Sequence, residues 1–502
     1  MKCWLVYDLG TGGLKTAVYH EDFHLLASEF VEYPTQYPTQ GYHEQFPEDW
    51  WNAIVSSTRK IMNENKALKE EIAYIAVSGH SLGVIPVDEH GALLEKNTPI
   101  WSDKRAKKQA ADFFQTQDYL KWYLTTGGGF PAELYSLFKI KWFQEQEPEL
   151  YRAAYKFIGS KDFINCRLCG KICTDYSYAS GSGLYDLSKN TYCRDFIEKS
   201  GIDSSKLPEI YPSSQVLGVL CSKAAKELEL PKSVKVVCGG VDNACMALGA
   251  GCLEDGDAYI SLGSSAWVAV SSAAPILDIK VKPYVFAHGI QNKYISSTCI
   301  FSAGTTENWV KNNLCEDLKE QALKNSENPY KAMDRLAALS PAGSRGLVFN
   351  PTLAGGSGLD ENPDMKGGIV GLTLGHNRCD ILRSVLEGVA FNMKTAFLNM
   401  EKNRNISGSI LIVGGGAQSS LWMQIFADIL QRVIITNTAA QNTAALGAAF
   451  LCAAAQKEEQ PQKMAIASAG VQKKYIPKEE NRQVYEEAYQ QFEKARKLLS
   501  KF

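Results

Sequence analysis

The chain has 502 residues, with 53 Lys and Arg against 55 Asp and Glu, 45% hydrophobic and 22% charged residues, 40 Gly and 18 Pro. That is an ordinary globular composition at a length that normally divides into two or more cores, and it excludes a disordered or collagenous chain. A formal net charge of −2, with no local cluster of Lys and Arg, offers no field for a polyanion, so no nucleic-acid partner is expected.

Residues 3–7 form a short apolar run that ends at Asp8. It falls short of the roughly 7 to 15 apolar residues of a signal peptide, so export by that route is not expected. The run predicts a strand, residues 15–19 predict a second one, and the glycines between them predict a hairpin turn. Pro47, Glu48 and Asp49 then open a helix carrying Trp50, Trp51, Ile54, Val55, Ile61 and Met62 at helical spacing. Residues 72–77 and 83–87 read as strands, with a turn from Asp88 to Gly91, and a helix begins near Ala106.

Cys166, Cys169 and Cys173 lie at spacings that could hold a metal, but no fourth ligand is nearby. They read as buried thiols in a segment, 163–174, built from a short element and a hairpin turn at Gly170 and Lys171. All thirteen cysteines, an odd number scattered along the chain, are expected as free thiols of a cytoplasmic protein. A strand over 234–238 continues an alternation of strands and helices that indicates an α/β domain.

A boundary falls between residues 247 and 257, after which a hairpin-like pattern begins again. Leu9-Gly10-Thr11-Gly12-Gly13 and Leu262-Gly263-Ser264-Ser265-Ala266 are each flanked by apolar strands, at an offset of 253 residues from Leu9 to Leu262. Repetition on that scale implies two related domains, each presenting a glycine turn to a cleft between them. The stretch 444–455, about 12 small apolar residues, is too short for the roughly 18 to 20 of a membrane span and predicts a buried helix. Residues 479–499 predict a closing amphipathic helix with Val484, Ala488, Phe492, Ala495 and Leu498 on its apolar face.

Five segments carry chemistry. Asp8, Gly10, Thr11 and Lys15 combine glycines that expose amide groups with a hydroxyl and a cation, which suits a phosphate, though the segment matches neither a P-loop nor a dinucleotide fingerprint. Asp242, after Gly239 and Gly240 at a strand end, is either a helix cap or a general base for a hydroxyl proton. Gly414, Gly415 and Gly416 end an apolar strand before a helix with Trp422, Ile425, Phe426 and Ile429, which lets a nucleotide approach the backbone or merely joins strand to helix. Trp101-Ser102-Asp103-Lys104-Arg105 and His80-Ser81 follow strand ends and are either caps and structural polar groups or substrate contacts.

Taken in this order the segments resemble the FGGY family of carbohydrate kinases, within the actin-like ATPase superfamily. The resemblance covers nearly the whole chain. Its most specific part is Gly367-Gly368-Ile369-Val370-Gly371-Leu372 followed by Asp380-Ile381-Leu382-Arg383-Ser384-Val385-Leu386-Glu387-Gly388. An N-terminal signature is similar over residues 136–146, with Leu134 departing from its usual first position.

The resemblance implies an α/β fold of two actin-like (ribonuclease H-like) domains with the active site in the cleft, residues 1–250 binding sugar and 251–502 binding ATP. It implies that Asp8, Gly10, Thr11 and Lys15 form the first phosphate motif and Ser261, Gly263, Ser264 and Ser265 the second. Gly414, Gly415, Gly416, Ala417 and Gln418 match the adenosine motif. Asp242 matches the catalytic base, and Mg²⁺ is implied near Asp8, through water, and Asp242.

Within the family the chain is most similar to xylulokinases, which makes His80, Ser81, Leu82, Trp101, Asp103, Asp242 and Asn243 the expected sugar contacts. Ser81 and Leu82 stand where those kinases have Met and His, so the sugar, a ketopentose or a related sugar or polyol, is left open. The expected activity is ATP-dependent phosphorylation of a terminal hydroxyl by an enzyme without a membrane partner, with a homodimer left open. Two rivals remain, an actin-like ATPase and a sugar-binding regulator without turnover.

Overall fold

The computed structural model describes residues 2–406, 408–437, 442–456 and 470–502. The chain forms two compact units. One comprises Met1–Asp255, Ser271–Ser296 and Asn442–Ala469, the other Gly256–Val270, Ser297–Gln441 and Gly470–Phe502. The chain therefore changes unit several times, where a single cut after residue 250 expects one change.

The first unit is built on a sheet whose strands run in the order Val216–Val219, Lys235–Val237, Ile72–Gly79, Cys3–Leu9, Gly13–His20 and Leu25–Glu32. Cys3–Leu9 is fully apolar except at Asp8, as expected for a strand covered on both faces. It pairs antiparallel with Gly13–His20, as the hairpin expectation requires, and parallel with Ile72–Gly79. On one face the helix Pro47–Glu64 buries Trp50, Trp51, Ile54, Ile61 and Met62 in a core with Leu5, Tyr7, Val18, Ile75 and Val77. Each such side chain contributes about 1.5–3 kcal/mol by leaving water.

The other face holds the helices Asp242–Gly249 and Thr443–Gln456, which cross at two glycines. A Cβ on Gly447 would lie 1.8 Å from the carbonyl oxygen of Cys245, and one on Gly249 at 1.8 Å from that of Thr443. The segment 271–296 belongs to the same unit because its backbone is held there. Val285 N–H donates to the Gly127 carbonyl, and the Tyr123 hydroxyl donates to that of Pro283. A second core around Trp122, Phe113, Phe138 and Tyr135 serves the helices inserted between residues 106 and 207.

The second unit repeats the arrangement. The hairpin Ala258–Leu262 and Ala266–Ser272 is followed across the sheet by Ile410–Val413 and Ile434–Asn437, each parallel to its neighbour, and by Val471–Tyr475 antiparallel at the edge. In the first unit the same series is hairpin, Ile72–Gly79, Lys235–Val237 and antiparallel Val216–Val219. The internal resemblance of the two glycine turns is thus a resemblance of whole sheets.

Two local expectations change. Residues 163–174 fall on the helix Ser160–Cys169, closed by Gly170 at φ +78°, and on the start of the strand Cys173–Asp175, so Gly170 is a helix end and not a hairpin turn. The helix is buried almost all round, which removes the apolar periodicity that would have marked it. The closing helix is Glu479–Leu499 as expected, but it buries Tyr485, Phe492 and Ala495, while Val484 and Leu498 are exposed. Tyr485 takes the inner place because its hydroxyl bonds Glu387 and Arg383. All thirteen cysteines are free thiols, and no described helix is long and apolar enough to cross a membrane.

Replacing Gly447 with Leu puts a side chain into the backbone of the Asp242–Gly249 helix. Urea unfolding should show a loss of at least about 2 kcal/mol, and unchanged stability would contradict the glycine contact.

Candidate active site

In the first unit, register places the polar groups. Asp8 lies opposite Lys15 on one side and Ser78 on the other, and Gly240 and Val241 pair with Ser78 and Gly79. Asp242, the first residue of its helix, therefore emerges at the same sheet end as Asp8, where the parallel strands finish. The helix cap position is taken by Val241, which has no side-chain cap, and Asp242 is the first helical residue. Gly239 sits at φ +76°, and a Cβ there would meet the Val77 carbonyl oxygen at 2.1 Å, so only glycine permits this turn.

Asp242 Oδ1 accepts from the Asn243 amide at 2.8 Å and from its Nδ2 at 3.1 Å. Burial, helped by the Asp8 charge, pushes the Asp242 carboxyl up to about 7. Burial also raises Asp8, against the Ser78 hydroxyl, which donates to its Oδ1 at 2.8 Å, and against Lys15. A carboxylate that holds its proton to near neutrality is matched to general-base work on a hydroxyl.

The loop before Asp242 is held from below by a buried polar network absent from the sequence reading. Lys161 Nζ lies 2.5 Å from Asp162 and 3.0 Å from Asp175, all three fully buried. Asn165 Nδ2 donates to the Cys238 carbonyl at 2.7 Å. Ser177 Oγ donates to Asp175 and accepts from the Val241 amide at 2.9 Å.

The first glycine turn joins the other candidates through a relay. Trp101 Nε1 donates to Thr11 Oγ1 at 2.9 Å, Gln45 Nε2 donates to the Thr11 carbonyl, and Trp50 Nε1 donates to Gln45 Oε1. Trp50 in turn stands edge-on to His80, with centroids 5.2 Å apart. Both ring nitrogens of His80 are buried without a hydrogen-bond partner among the described residues, and burial, with the Lys139 charge, lowers its pKa to about 4. The ring is a neutral imidazole, one donor and one acceptor.

Ser81 is buried. Leu82 adopts φ +61° and turns its side chain into the apolar core. The Asp103 carboxylate accepts from the His43 and Arg105 amides and twice from the Arg105 guanidinium, so it organises the loop that carries Trp101. Lys139, within the N-terminal signature, donates to the carbonyls of Leu82, Ile100, Trp101 and Leu134, and so ties these loops together.

The second unit holds a cavity of about 530 Å³. Gly263 and Ser264 of the second glycine turn line it together with Gly415, Gly416 and Gln418. Ser261, in the strand before the turn, is buried and pairs with Val413, which aligns the two glycine segments. Gly414, at φ +95°, and Gly416 lie against Leu262, where a Cβ would be 2.6 Å from its carbonyl oxygen and its side chain respectively. Ala417 is buried behind them, and Ser419 caps the helix Ser420–Leu430 by accepting from the Trp422 amide.

Sequence reading missed the opposite wall. Gly304 N–H donates to the Gly263 carbonyl, and the Thr305 amide and hydroxyl both donate to that of Ser264, so the helix Gly304–Leu314 starts on the turn itself. Glu307, Asn308, Asn328, Tyr330, Lys331 and Asp334 complete the lining. The signal available was Ala303-Gly304-Thr305 after an apolar strand, too common a pattern to select. The C-terminal signature lies in scaffold, where Arg383 and Glu387 form a buried pair at 2.8 Å and Asp380 closes a capping box with Asn377.

Models of the FGGY family of carbohydrate kinases match this chain over residues 3–249 for the N-terminal domain and 258–456 for the C-terminal domain. A xylulose kinase of Lactococcus lactis subsp. lactis (strain IL1403) is 32% identical over 496 residues, covering 96% of this chain and 94% of that protein. A gluconokinase of Bacillus subtilis (strain 168) is 26% identical, covering 88% and 86%. Among solved structures, the ligand-bound xylulose kinase from Lactobacillus acidophilus superposes with a TM-score of 0.90 at 25% identity, covering 100% of this chain and 99% of that one.

The Asp242 carboxyl should titrate near pH 7 in a carbon-detected NMR experiment. Because the Asp8 charge raises it, Asp8→Asn should lower that midpoint; an unmoved midpoint would show that the two carboxylates do not interact.

Proposed function

The chain belongs to the FGGY family of carbohydrate kinases, and on that premise we propose that it transfers the γ-phosphate of MgATP to a terminal hydroxyl of a ketopentose of the xylulose type. The observation that carries the reading is Asp242, beside Asp8 at the end of parallel strands, with its carboxyl pushed up to about 7. The ketopentose follows from the 32% identical relative named as a xylulose kinase.

In this reading the Asp242 carboxylate takes the proton from the sugar hydroxyl as its oxygen attacks the phosphorus in line. His80, neutral and with both nitrogens unpaired, hydrogen-bonds a sugar hydroxyl, and Trp101 covers the sugar beside Thr11. Ser81 and Asn243 border the same sugar, Lys139 fixes the Leu82 carbonyl beside them, and Asp103 holds the Trp101 loop. Thr11 and Lys15 are the first unit's candidates for the phosphoryl group, on a turn that the Gly10 amide closes by donating to the Gly13 carbonyl, and the second unit offers the nucleotide site through Ser264, Gly415 and Gly416.

Asp8, through water, and Asp242 are two oxygen donors of the kind that holds Mg²⁺ together with phosphates, and the ion would neutralise charge on the transferring group. No described cluster of three or more ligating side chains offers a complete protein cage, which suits an ion shared with the nucleotide.

A second reading, an aldonate or polyol acceptor, draws on the gluconokinase relative and on Leu82, whose side chain turns away into the core. ADP release measured across ketopentoses, aldonates and polyols separates the two. If D-xylulose stimulates release most, the first reading stands; if gluconate or a polyol does, the second replaces it. If no acceptor stimulates release and ATP is hydrolysed alone, both fail in favour of an ATPase.

With the preferred acceptor, Asp242→Asn should lower kcat by about 10²- to 10⁴-fold. The wild-type kcat/KM should fall about tenfold per pH unit below 7, because the protonated carboxyl cannot accept the hydroxyl proton. A flat profile between pH 5.5 and 8 would remove Asp242 as the base.

A further inference from the structure

The turn that carries His80 and Ser81 is strained, and side chains from elsewhere in the first unit hold most of its carbonyls. The Gly83 amide donates to the Ser81 carbonyl at 2.7 Å across Leu82, which sits at φ +61°. A three-residue turn whose central residue has positive φ is rare, and at a leucine it persists only where the surroundings over-determine it. Here the Ser160 hydroxyl donates to the His80 carbonyl at 3.0 Å, Lys139 Nζ to that of Leu82 at 3.0 Å, and the Tyr178 hydroxyl to that of Gly83 at 2.8 Å. Tyr178 reaches Gly83 over Gly159, where a Cβ would lie 2.0 Å from its ring.

Lys139 holds more than this one carbonyl. It stands on the helix Ser136–Gln146, fully buried, and its ammonium also donates to the carbonyls of Ile100 at 2.8 Å, Leu134 at 2.9 Å and Trp101 at 3.3 Å. Three N–H groups thus face four neutral oxygens drawn from three separate loops. An apolar side chain would fill the same space without the cost of burying a charge. What the cation adds is a fixed distance between the Leu82 turn and the Trp101 loop.

We propose that Lys139 and Tyr178 are positioning residues for the phosphate acceptor, which hold the Leu82 turn and the Trp101 loop at one spacing so that His80 and Trp101 engage the acceptor together. The inference rests on the kinase reading and goes beyond it, because neither residue touches the acceptor. His80 follows Gly79, whose strand pairs with Val241 just before Asp242, so this side of the turn is anchored to the sheet. The Trp101 side has no such anchor in the sheet, and the Trp101 carbonyl is itself a Lys139 partner. Loosening the ammonium therefore lets one wall drift from the other and costs affinity for what lies between them. The nucleotide is spared, since the cavity offered to it is lined by the other unit.

The test is steady-state kinetics of the full chain at pH 7 with MgATP and whichever of D-xylulose, D-gluconate and xylitol gives wild type the highest kcat/KM. Lys139→Met should raise the acceptor KM at least about tenfold and Tyr178→Phe about threefold, with kcat and the KM for MgATP within about twofold of wild type. Tyr178→Phe removes one oxygen from a packed ring, so it decides the matter if Lys139→Met does not fold. A double-mutant cycle separates positioning from general support of the fold. His80→Ala should raise the acceptor KM about tenfold in wild type but less than about threefold beside Lys139→Met, because a displaced His80 has little left to lose.

An acceptor KM unmoved by both Lys139→Met and Tyr178→Phe, a parallel loss of MgATP affinity, or a His80→Ala effect that is undiminished beside Lys139→Met overturns the inference and leaves the kinase reading intact. If none of the three acceptors stimulates ADP release from wild type, the kinase reading falls and the inference with it.

Discussion

Two carboxylates brought to one sheet end repel each other, and much of the first unit follows from having to hold them there. Asp8 and Asp242 both lose water, and the Asp8 charge raises Asp242 further. Ser78, Lys15 and Asn243 offset part of that cost without removing it, which leaves the Asp242 carboxyl raised to about 7. The loop that delivers Asp242 cannot relax away, because Lys161, Asp175, Asn165 and Ser177 fix Cys238 and Val241 from beneath. A buried ion triad of this kind adds little net stability, but it allows few alternative arrangements of the backbone above it.

The second unit solves a different problem, close approach of a ligand to backbone. Leu262 is the hub: Gly414 and Gly416 lie on it from one side, while Gly304 lies on the adjoining Gly263 from the other. Three chain segments far apart in sequence thus converge within van der Waals distance because none carries a Cβ at the contact. The polar side chains of the cavity then come from the helices that these glycines position.

What was legible in the sequence was local. The hairpins at Asp8–Lys15 and Ser261–Ala266, the helix after Pro47 and the closing helix each declare themselves through neighbours in the chain, so their periodicity and turn residues suffice. Asp242 was legible as a candidate, but its burial and the Asp8 charge that acts on it were not. Lys139, Lys161 and Glu307 were not legible, since a single charged residue in a helix looks the same whether it faces water or four carbonyls. The helix Ser160–Cys169 failed for a related reason: covered on nearly every side, it has no polar face to contrast with an apolar one. The most specific sequence pattern, around Arg383 and Glu387, identifies the family by its scaffold, and the cavity residues lie elsewhere.

The helix Thr443–Gln456 lies against Asp242–Gly249 and the strand Cys3–Leu9, and its Gln456 accepts the Trp4 indole N–H at 3.1 Å. On the ribosome, the first strand made must therefore wait for one of the last helices. The N-terminal unit leaves the exit tunnel with one face of its sheet bare, and it keeps that apolar surface open while some two hundred further residues, Gly249 to Thr443, are translated. At about 5–20 residues per second that exposure lasts on the order of ten seconds or more, long enough to make this face a target for chaperones during synthesis, and maturation of the loop before Asp242 a late event in the life of each molecule.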